Sequence, residues 1–259
     1  MGKKQVDIEK LEMTEFIPNW ISDGDILNMD EDTRKIIYFF VAETPCKNES
    51  ARGKTLSQYG WENDDPPKEG NFEEGLFEIA GLTKENLFLE LKREKMKERF
   101  NETGMTGAFY EKLGGNFIVS LVNRNRVLDI FRHIRNSIAH LRFDIKNTEL
   151  GTFFIFEDGA QNGKKFEVKA RMILKKETLL KWIEWIKTGT EEVKKQTQEM
   201  DNKILEFVKN NSVQSMGEIS EKLKYRKNKV ENAIKRLKEQ NKIEYRNRKW
   251  NVIELKEAS

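Results

Sequence analysis

The sequence has a single cysteine, Cys46, among its 259 residues. One cysteine excludes an internal disulfide framework and a metal site built from several thiolates. A membrane-spanning helix needs roughly 18 or more consecutive apolar residues, and the sequence contains no such run. Lys3 and Lys4 near the N-terminus are not followed by an apolar segment, so the pattern of a secretory signal is missing. Together these absences predict an intracellular, cytoplasmic protein without a membrane anchor.

Histidine is also scarce, with only two residues in the chain, His133 and His140. Carboxylates are plentiful, but no His-Glu or Cys-His spacing typical of a zinc site or another transition-metal site is present. We therefore expect neither a metal ion nor a bound cofactor.

Charged residues are abundant and unevenly distributed. From residue 201 onward the chain has 15 lysines and arginines against 9 acidic residues, a net charge of +6. The first 200 residues have 32 against 35, a net charge of −3. A basic segment on a slightly acidic body predicts contact with a polyanion such as DNA or RNA. The alternative interpretation is a lysine-rich composition without a binding role.

Apolar periodicity predicts a mainly α domain over residues 1–190. The stretch 43–71 interrupts it, because three of the four prolines and several glycines lie there. This composition is typical of a loop or a disordered insertion. Helices are predicted at residues 6–22, 33–42, 72–80, 84–99, 116–141 and 177–187. Residues 152–157 and 166–174 alternate like the strands of a small β-hairpin, joined by a turn at 158–165.

Residues 200–259 follow a polar linker at 191–199 and form a second predicted domain. Apolar residues at helical spacing indicate three helices, of which Ser215 is placed to cap the second. The segments around Ile243 and Trp250 alternate like a terminal hairpin. Three helices followed by a hairpin over this length resemble the winged helix-turn-helix family.

That resemblance implies that the third helix and the hairpin tip contact nucleic acid. The basic residues at these positions are Lys224, Arg226, Lys227, Lys229, Arg246, Arg248 and Lys249. A winged helix that mediates protein interaction or dimerisation remains the alternative.

The most informative segment is the end of the predicted helix 116–141. At about 100° per residue, one side of this helix carries Ile130, Phe131, Ile134, Ile138 and Leu141. The other side carries Asp129, Arg132, His133, Arg135, Asn136 and His140. We therefore expect one helix to bury an aliphatic face and to display both histidines, two arginines and an amide together.

The run Arg135-Asn136-Ser137-Ile138-Ala139-His140 resembles the motif of the HEPN superfamily, an arginine and a polar residue followed by three variable positions and a histidine near a helix end. The hairpin and the amphipathic helix with Trp182 and Trp185 that follow also resemble one bacterial subgroup of that superfamily. The resemblance covers roughly residues 1–190, with 43–71 outside it. It implies a helical bundle and metal-independent RNA cleavage at a site assembled by two protomers.

The residue types agree with the implied chemistry. The RNA 2′-OH attacks the adjacent phosphate, which requires a proton acceptor, a proton donor and a cation over the phosphorane oxygens. His140 would exchange the protons, Arg135 would bind the phosphate with its planar fork, and Asn136 would orient the histidine or a phosphate oxygen. Arg132 and His133 are candidates to line the RNA groove. For His140 the alternative is a helix-end histidine bonded to a carbonyl.

The sequence therefore predicts an endoribonuclease of the toxin or phage-defence type, with RNA as its substrate and an antitoxin as a candidate partner. One histidine cannot be acid and base at once, so a homodimer that joins two copies of His140 is expected. A second hypothesis is a non-catalytic HEPN dimer that acts as a DNA-binding transcriptional regulator. A CRISPR-associated ribonuclease, without an evident cyclic-oligonucleotide sensor, and a nucleotide-binding partner of a nucleotidyltransferase are further alternatives.

Overall fold

The computed structural model describes residues 28–46, 51–61, 71–107, 109, 114–123, 125–163, 165–213 and 215–253. The helix predicted at 6–22 lies outside these residues. The chain divides into two compact units, Met1–Thr190 and Glu191–Ser259. Seven α-helices are described: α1 Glu31–Tyr38, α2 Asn71–Ile79, α3 Met96–Thr103, α4 Arg126–Ala139, α5 Lys176–Asn210, α6 Met216–Leu223 and α7 Lys227–Glu239.

The first unit contains a five-stranded sheet. Its strands are β1 Leu87–Glu90, β2 Phe117–Leu121, β3 Phe143–Thr148, β4 Gly151–Asn162 and β5 Lys165–Lys175. They are arranged in the order β1-β2-β5-β4-β3, and only the β1–β2 pair is parallel. The predicted hairpin is the β4–β5 pair, whereas the other three strands were not predicted. The prediction of a helical bundle with a small hairpin therefore describes only part of the fold, because the helices pack on a five-stranded sheet.

Two predicted helices contain strands in place of their first halves. In the 84–99 segment, Leu87–Glu90 form β1, because this stretch pairs with β2 and places Phe88 opposite Val119. The 116–141 segment begins as β2, and α4 starts afresh after Asn125, whose side chain accepts a hydrogen bond from Leu128 N at 3.0 Å. A short apolar run has the same appearance in a strand and in a buried helix, so sheet pairing decides between them.

The sheet is covered on both faces because its strands alternate. On one face Phe154 and Phe156 of β4 belong to a core with buried residues of α1, α2, α4 and α5. On the other face Phe153 and Ile155 pack with Met96 and Phe100 of α3. The aliphatic face of α4 lies in the first core, with Ile130, Phe131, Ile134 and Ile138 buried as predicted. Leu141 was predicted on the same face but is 45% exposed.

The described part of the predicted loop 43–71 packs on the first unit. It contains the end of a π-helix, Phe39–Glu43, and a 3-10 turn, Ser57–Tyr59. Leu56 is fully buried, and the Trp61 indole N–H donates to the Ile186 carbonyl at 3.0 Å. Its described residues are therefore irregular in backbone, as expected for a loop, but they contribute to the core.

The second unit begins within α5 and contains residues 191–210 of that helix, followed by α6, α7 and a hairpin of β6 Ile243–Arg246 and β7 Lys249–Val252. Ser215 caps α6, as predicted, by accepting a hydrogen bond from Glu218 N at 3.2 Å. Trp250 N donates to the Val213 carbonyl at 2.8 Å, which adds a bridge from the segment before α6 to the hairpin. Among the described residues no helix has both the length and the apolar composition needed to cross a membrane.

Candidate active site

The residues singled out by the sequence lie on the last two turns of α4 and at its C-terminal cap. Arg135 and Asn136 are half-buried, and His140 is the exposed cap residue itself. The helix ends in a Schellman arrangement, in which Leu141 N donates to the Ile138 carbonyl at 3.0 Å and Arg142 N donates to the Ser137 carbonyl at 2.7 Å. His140 is thus presented at a helix terminus with defined geometry.

The turn after His140 has a strained backbone and is held in place by contacts with β4. Leu141 has a φ of +55°, a left-handed conformation that costs a residue with a side chain about 1–2 kcal/mol. The following residue, Arg142, forms an ion pair with the buried Glu157 of β4, and Glu157 N donates to the Arg142 carbonyl at 3.0 Å. Strand β4 therefore holds the chain two residues beyond His140.

The arginines of α4 and its flanking turn differ in their partners. Four of them lie between residues 126 and 142. Three form ion pairs with carboxylates: Arg126 with Glu73, Arg132 with Asp129, and Arg142 with Glu157. Arg135 has no carboxylate partner among the described residues, and its only hydrogen bond there runs from Nη1 to Asn136 Oδ1 at 3.1 Å. Its remaining N–H groups leave a half-buried positive charge without a protein counter-charge.

The His140 side chain likewise makes no hydrogen bond or ion pair within the described part of the chain. Among the described residues, no carbonyl bonds to the ring, which was the alternative. An exposed imidazole and an uncompensated guanidinium, five residues apart at the same helix end, are suited to bind an anion and to exchange protons with it.

The structure adds Asp158 of β4, which the sequence did not identify. Its Oδ2 lies 2.6 Å from His133 Nδ1 and 3.4 Å from Asn136 Nδ2. A chain of contacts therefore runs from His133 through Asp158 and Asn136 to Arg135. The sequence does contain a sign of this residue's role. Asp158 follows Phe154 and Phe156 at every second position, so a carboxylate lies on the strand face where a third buried apolar residue would be expected.

The two candidates for the RNA groove are both engaged within the protein. His133 is only 7% exposed, and its Nε2 lies 2.8 Å from the Leu121 carbonyl, so both ring nitrogens have partners. A ring that is buried and bonded on both sides is badly placed to contact RNA, contrary to the expectation. Arg132 is half-buried and paired with Asp129, whose Oδ2 also accepts from Asn123 N at 2.6 Å. The face of α4 that was predicted to be polar and exposed is therefore only partly exposed, because Asp129 and His133 are buried.

The basic residues of the second unit that the sequence singled out lie just before or at the start of α7 and at or beside the tip of its hairpin. Lys224, Arg226, Lys227, Arg246 and Arg248 are exposed, whereas Lys229 and Lys249 are half-buried. The tip has positive φ values at both central residues, +52° for Asn247 and +60° for Arg248, as a type I′ turn requires. Groups of three or more side chains suited to hold a metal ion are absent from the described residues.

Comparison with known proteins agrees with the first unit. Residues 67–193 match the family described as HEPN pEK499 p136. This match supports placing that part of the chain in the HEPN superfamily, and it points to a nuclease or another nucleic-acid-related function. It begins later than the region of resemblance inferred from the sequence, which started at residue 1. No curated protein and no solved structure matches the chain significantly.

Proposed function

We propose that this protein is a metal-independent endoribonuclease of the toxin or phage-defence type, with Arg135, Asn136 and His140 at its active site. The observation that carries the proposal is that, in the described part of the chain, a guanidinium without a counter-ion and an imidazole without a hydrogen bond both lie at the end of α4. Among the described residues, Arg135 has no counter-ion and His140 has no hydrogen-bond partner. The family match supports the same conclusion, because HEPN domains are often ribonucleases.

The proposed reaction is an internal transesterification. The RNA 2′-OH attacks the adjacent phosphorus, the bond from phosphorus to the 5′-oxygen breaks, and a 2′,3′-cyclic phosphate and a 5′-hydroxyl result. The proton leaves the 2′-OH and another is delivered to the 5′-oxygen. The Arg135 guanidinium stabilises the charge on the phosphorane oxygens, and it does so better where its orientation is fixed beforehand.

His140 exchanges the protons in this proposal. One imidazole cannot accept and donate a proton in the same step, so two copies of His140 in a homodimer would divide the roles. HEPN domains often form dimers, which supports this arrangement. The exposed position of His140 at a helix terminus leaves it accessible to a second protomer.

For the second unit we propose a winged helix-turn-helix domain that binds nucleic acid. Its helix order, terminal hairpin and bridge through Val213 support the assignment, and basic side chains lie at the start of α7 and at the hairpin tip. The same features favour a second candidate function, a non-catalytic dimer that binds DNA as a transcriptional regulator.

The two functions are separated by expressing the full chain and the His140→Ala variant in bacteria. A ribonuclease of the toxin type arrests growth and fragments cellular RNA, and the variant does neither at equal protein levels. Growth arrest by both proteins alike, or intact RNA with the wild type, would contradict the proposal and leave the regulator.

A further inference from the structure

Asp158 contacts α4 from the point where the register between β4 and β5 shifts. Asp158 is opposite Ala170, but Gly159 is opposite Val168, so the register shifts between them. Glycine is required at this shift, because a Cβ at Gly159 would lie 2.4 Å from the Glu167 carbonyl oxygen. The chain therefore keeps one carboxylate facing α4 immediately before an irregularity of the kind that commonly borders functional sites.

The Asp158 carboxylate is fixed by a second element. His133 Nδ1 lies 2.6 Å from its Oδ2, and His133 Nε2 lies 2.8 Å from the Leu121 carbonyl at the end of β2. Each ring nitrogen of His133 therefore lies within hydrogen-bonding distance of an oxygen, one from Asp158 and one from Leu121. With His133 and Asp158 exposed by only 8% and 6% in their side chains, this pair is a rigid link between α4, β2 and β4.

The same carboxylate oxygen meets the site residue Asn136. Asn136 Nδ2 lies 3.4 Å from Asp158 Oδ2, and Asn136 Oδ1 accepts from Arg135 Nη1 at 3.1 Å. Because the amide has a donor at one end and an acceptor at the other, holding its nitrogen on Asp158 turns its oxygen toward Arg135. This fixes Nη1 of the guanidinium and leaves Nη2 for a ligand, because Nε is itself buried without a partner.

We propose that Asp158 is a positioning residue of the ribonuclease site, which orients Arg135 toward the scissile phosphate through Asn136. This proposal rests on the proposed function. It adds to the site a residue of β4, which lies outside the Arg135–His140 segment. Arg135 acts on the phosphorane, so a misoriented guanidinium lowers kcat, whereas KM for a long RNA changes little. A structural role limited to pairing with His133 would instead lower stability and leave no specific link to Asn136.

The test is a double-mutant cycle in the full chain, with Asp158→Asn, Asn136→Ala and the double variant. The substrate is a mixed-sequence RNA oligonucleotide labelled with a fluorophore and a quencher. Glu90→Gln is the matched control, because Glu90 is also a largely buried carboxylate of the sheet paired with an arginine, Arg99, at 2.7 Å. We expect either single change to lower kcat by roughly 10-fold or more, and the double variant to be no slower than Asn136→Ala alone.

The outcomes separate the positioning role from the function itself. Full kcat in Asp158→Asn, or effects of the two changes that multiply, would overturn the positioning role and leave the ribonuclease standing. No cleavage by the wild type would overturn the proposed function and the positioning role with it. If thermal unfolding shows that Asp158→Asn does not fold, Asp158→Glu, which keeps the charge beside His133 but moves it, takes its place with the same expected non-additivity.

Discussion

At the scale of single residues, two arginines of the first unit, Arg171 and Arg135, differ in their partners. Arg171 is fully buried and donates from Nε to Glu157 Oε2 at 2.9 Å, while its Nη1 donates to the Met105 carbonyl at 2.5 Å. Arg135 has neither a carboxylate nor full burial. A folded protein gains little from an unpaired half-buried cation, so Arg135 is the arginine whose presence a ligand best explains.

This contrast predicts opposite effects of two substitutions. Arg135→Ala should change the free energy of unfolding by less than about 0.5 kcal/mol and lower RNA cleavage by roughly 10²-fold or more. Arg171→Met should lower the free energy of unfolding by about 3 kcal/mol or more, because it breaks a buried ion pair on one side. Chemical denaturation and cleavage rates measure both, and a large stability loss in Arg135→Ala would contradict the assignment.

The same scale shows what the sequence could identify. The spacing of Arg135 and His140 was sufficient to propose them as site residues, because both lie on one short segment. Asp158 was not selected, because the glycines and amides from Gly159 to Gly163 were interpreted as a turn. In the structure β4 continues to Asn162, and Gly159 meets the need for close cross-strand approach. A contact between residues more than 20 positions apart depends on the pairing of strands, which local patterns do not define.

At the scale of elements, the C-terminal end of α4 combines helix capping with strain. The Schellman turn needs a left-handed residue after the cap, and that position is usually glycine. Here it is Leu141, half exposed, with a φ of +55°. Strand β4 compensates by binding Arg142 through Glu157. The strain is therefore located one residue from His140, and a substitution can remove it.

Leu141→Gly should raise the free energy of unfolding by about 0.5–1 kcal/mol, because glycine adopts the left-handed conformation without a steric cost. Ala139→Gly is the matched control, since Ala139 is exposed and is the last residue of the same helix. That change should lower the free energy of unfolding by about 0.5–1 kcal/mol, the usual cost of glycine in a helix. Urea denaturation of both variants measures these changes in the free energy of unfolding. A Leu141→Gly protein no more stable than the wild type would show that the turn is unstrained.

Whether a helix or strand could be predicted from the sequence depended on how many of its faces are buried. The start of α5, α6 and the β4–β5 hairpin were predicted, because their patterns are amphipathic and bounded by caps or glycines. β1 and β2 were taken for parts of helices, because Phe117–Leu121, in which Ser120 is the one polar residue, does not alternate between apolar and polar side chains. Ser120 and Val119 are fully buried there, so both faces of the strand are covered and no period of two is left in the sequence.

At the scale of the whole molecule, the chain pairs a unit with a candidate nuclease site and a basic second unit. Three positive residues lie at or beside the hairpin tip: Arg246, Arg248 and Lys249. Replacing all three by glutamine should weaken binding of nucleic acid. It should also reduce the slope of log affinity against log salt by about 0.7–0.9 per lost phosphate contact. The measurement is fluorescence anisotropy across a salt series.

The control for that measurement removes the same charge elsewhere in the second unit, at the exposed Lys203, Lys209 and Lys235. We expect the control variant to keep most of the affinity and slope of the wild type. Equal losses in both variants would indicate a general charge effect, and no loss in either would mean that the second unit binds a protein partner instead.

The proposed composite site also makes a prediction about assembly. The full chain should be a dimer in light scattering at micromolar concentration, with cleavage per chain falling as dilution produces monomers. A monomer that cleaves RNA at the full rate would contradict the division of acid and base between two copies of His140, although the Arg135 role would stand.

The most direct test of the central claim compares two oligonucleotides that differ by one oxygen atom. One is an RNA with a single mapped cleavage position, and the other carries a 2′-deoxy sugar at that position only. The account predicts that the wild type cleaves the RNA in the presence of EDTA and leaves a 2′,3′-cyclic phosphate. It also predicts that the protein fails to cut the deoxy substrate at that position, and that Arg135→Ala and His140→Ala each lose roughly 10²-fold or more of the rate. Cleavage of the deoxy substrate, or full inhibition by EDTA, would contradict it.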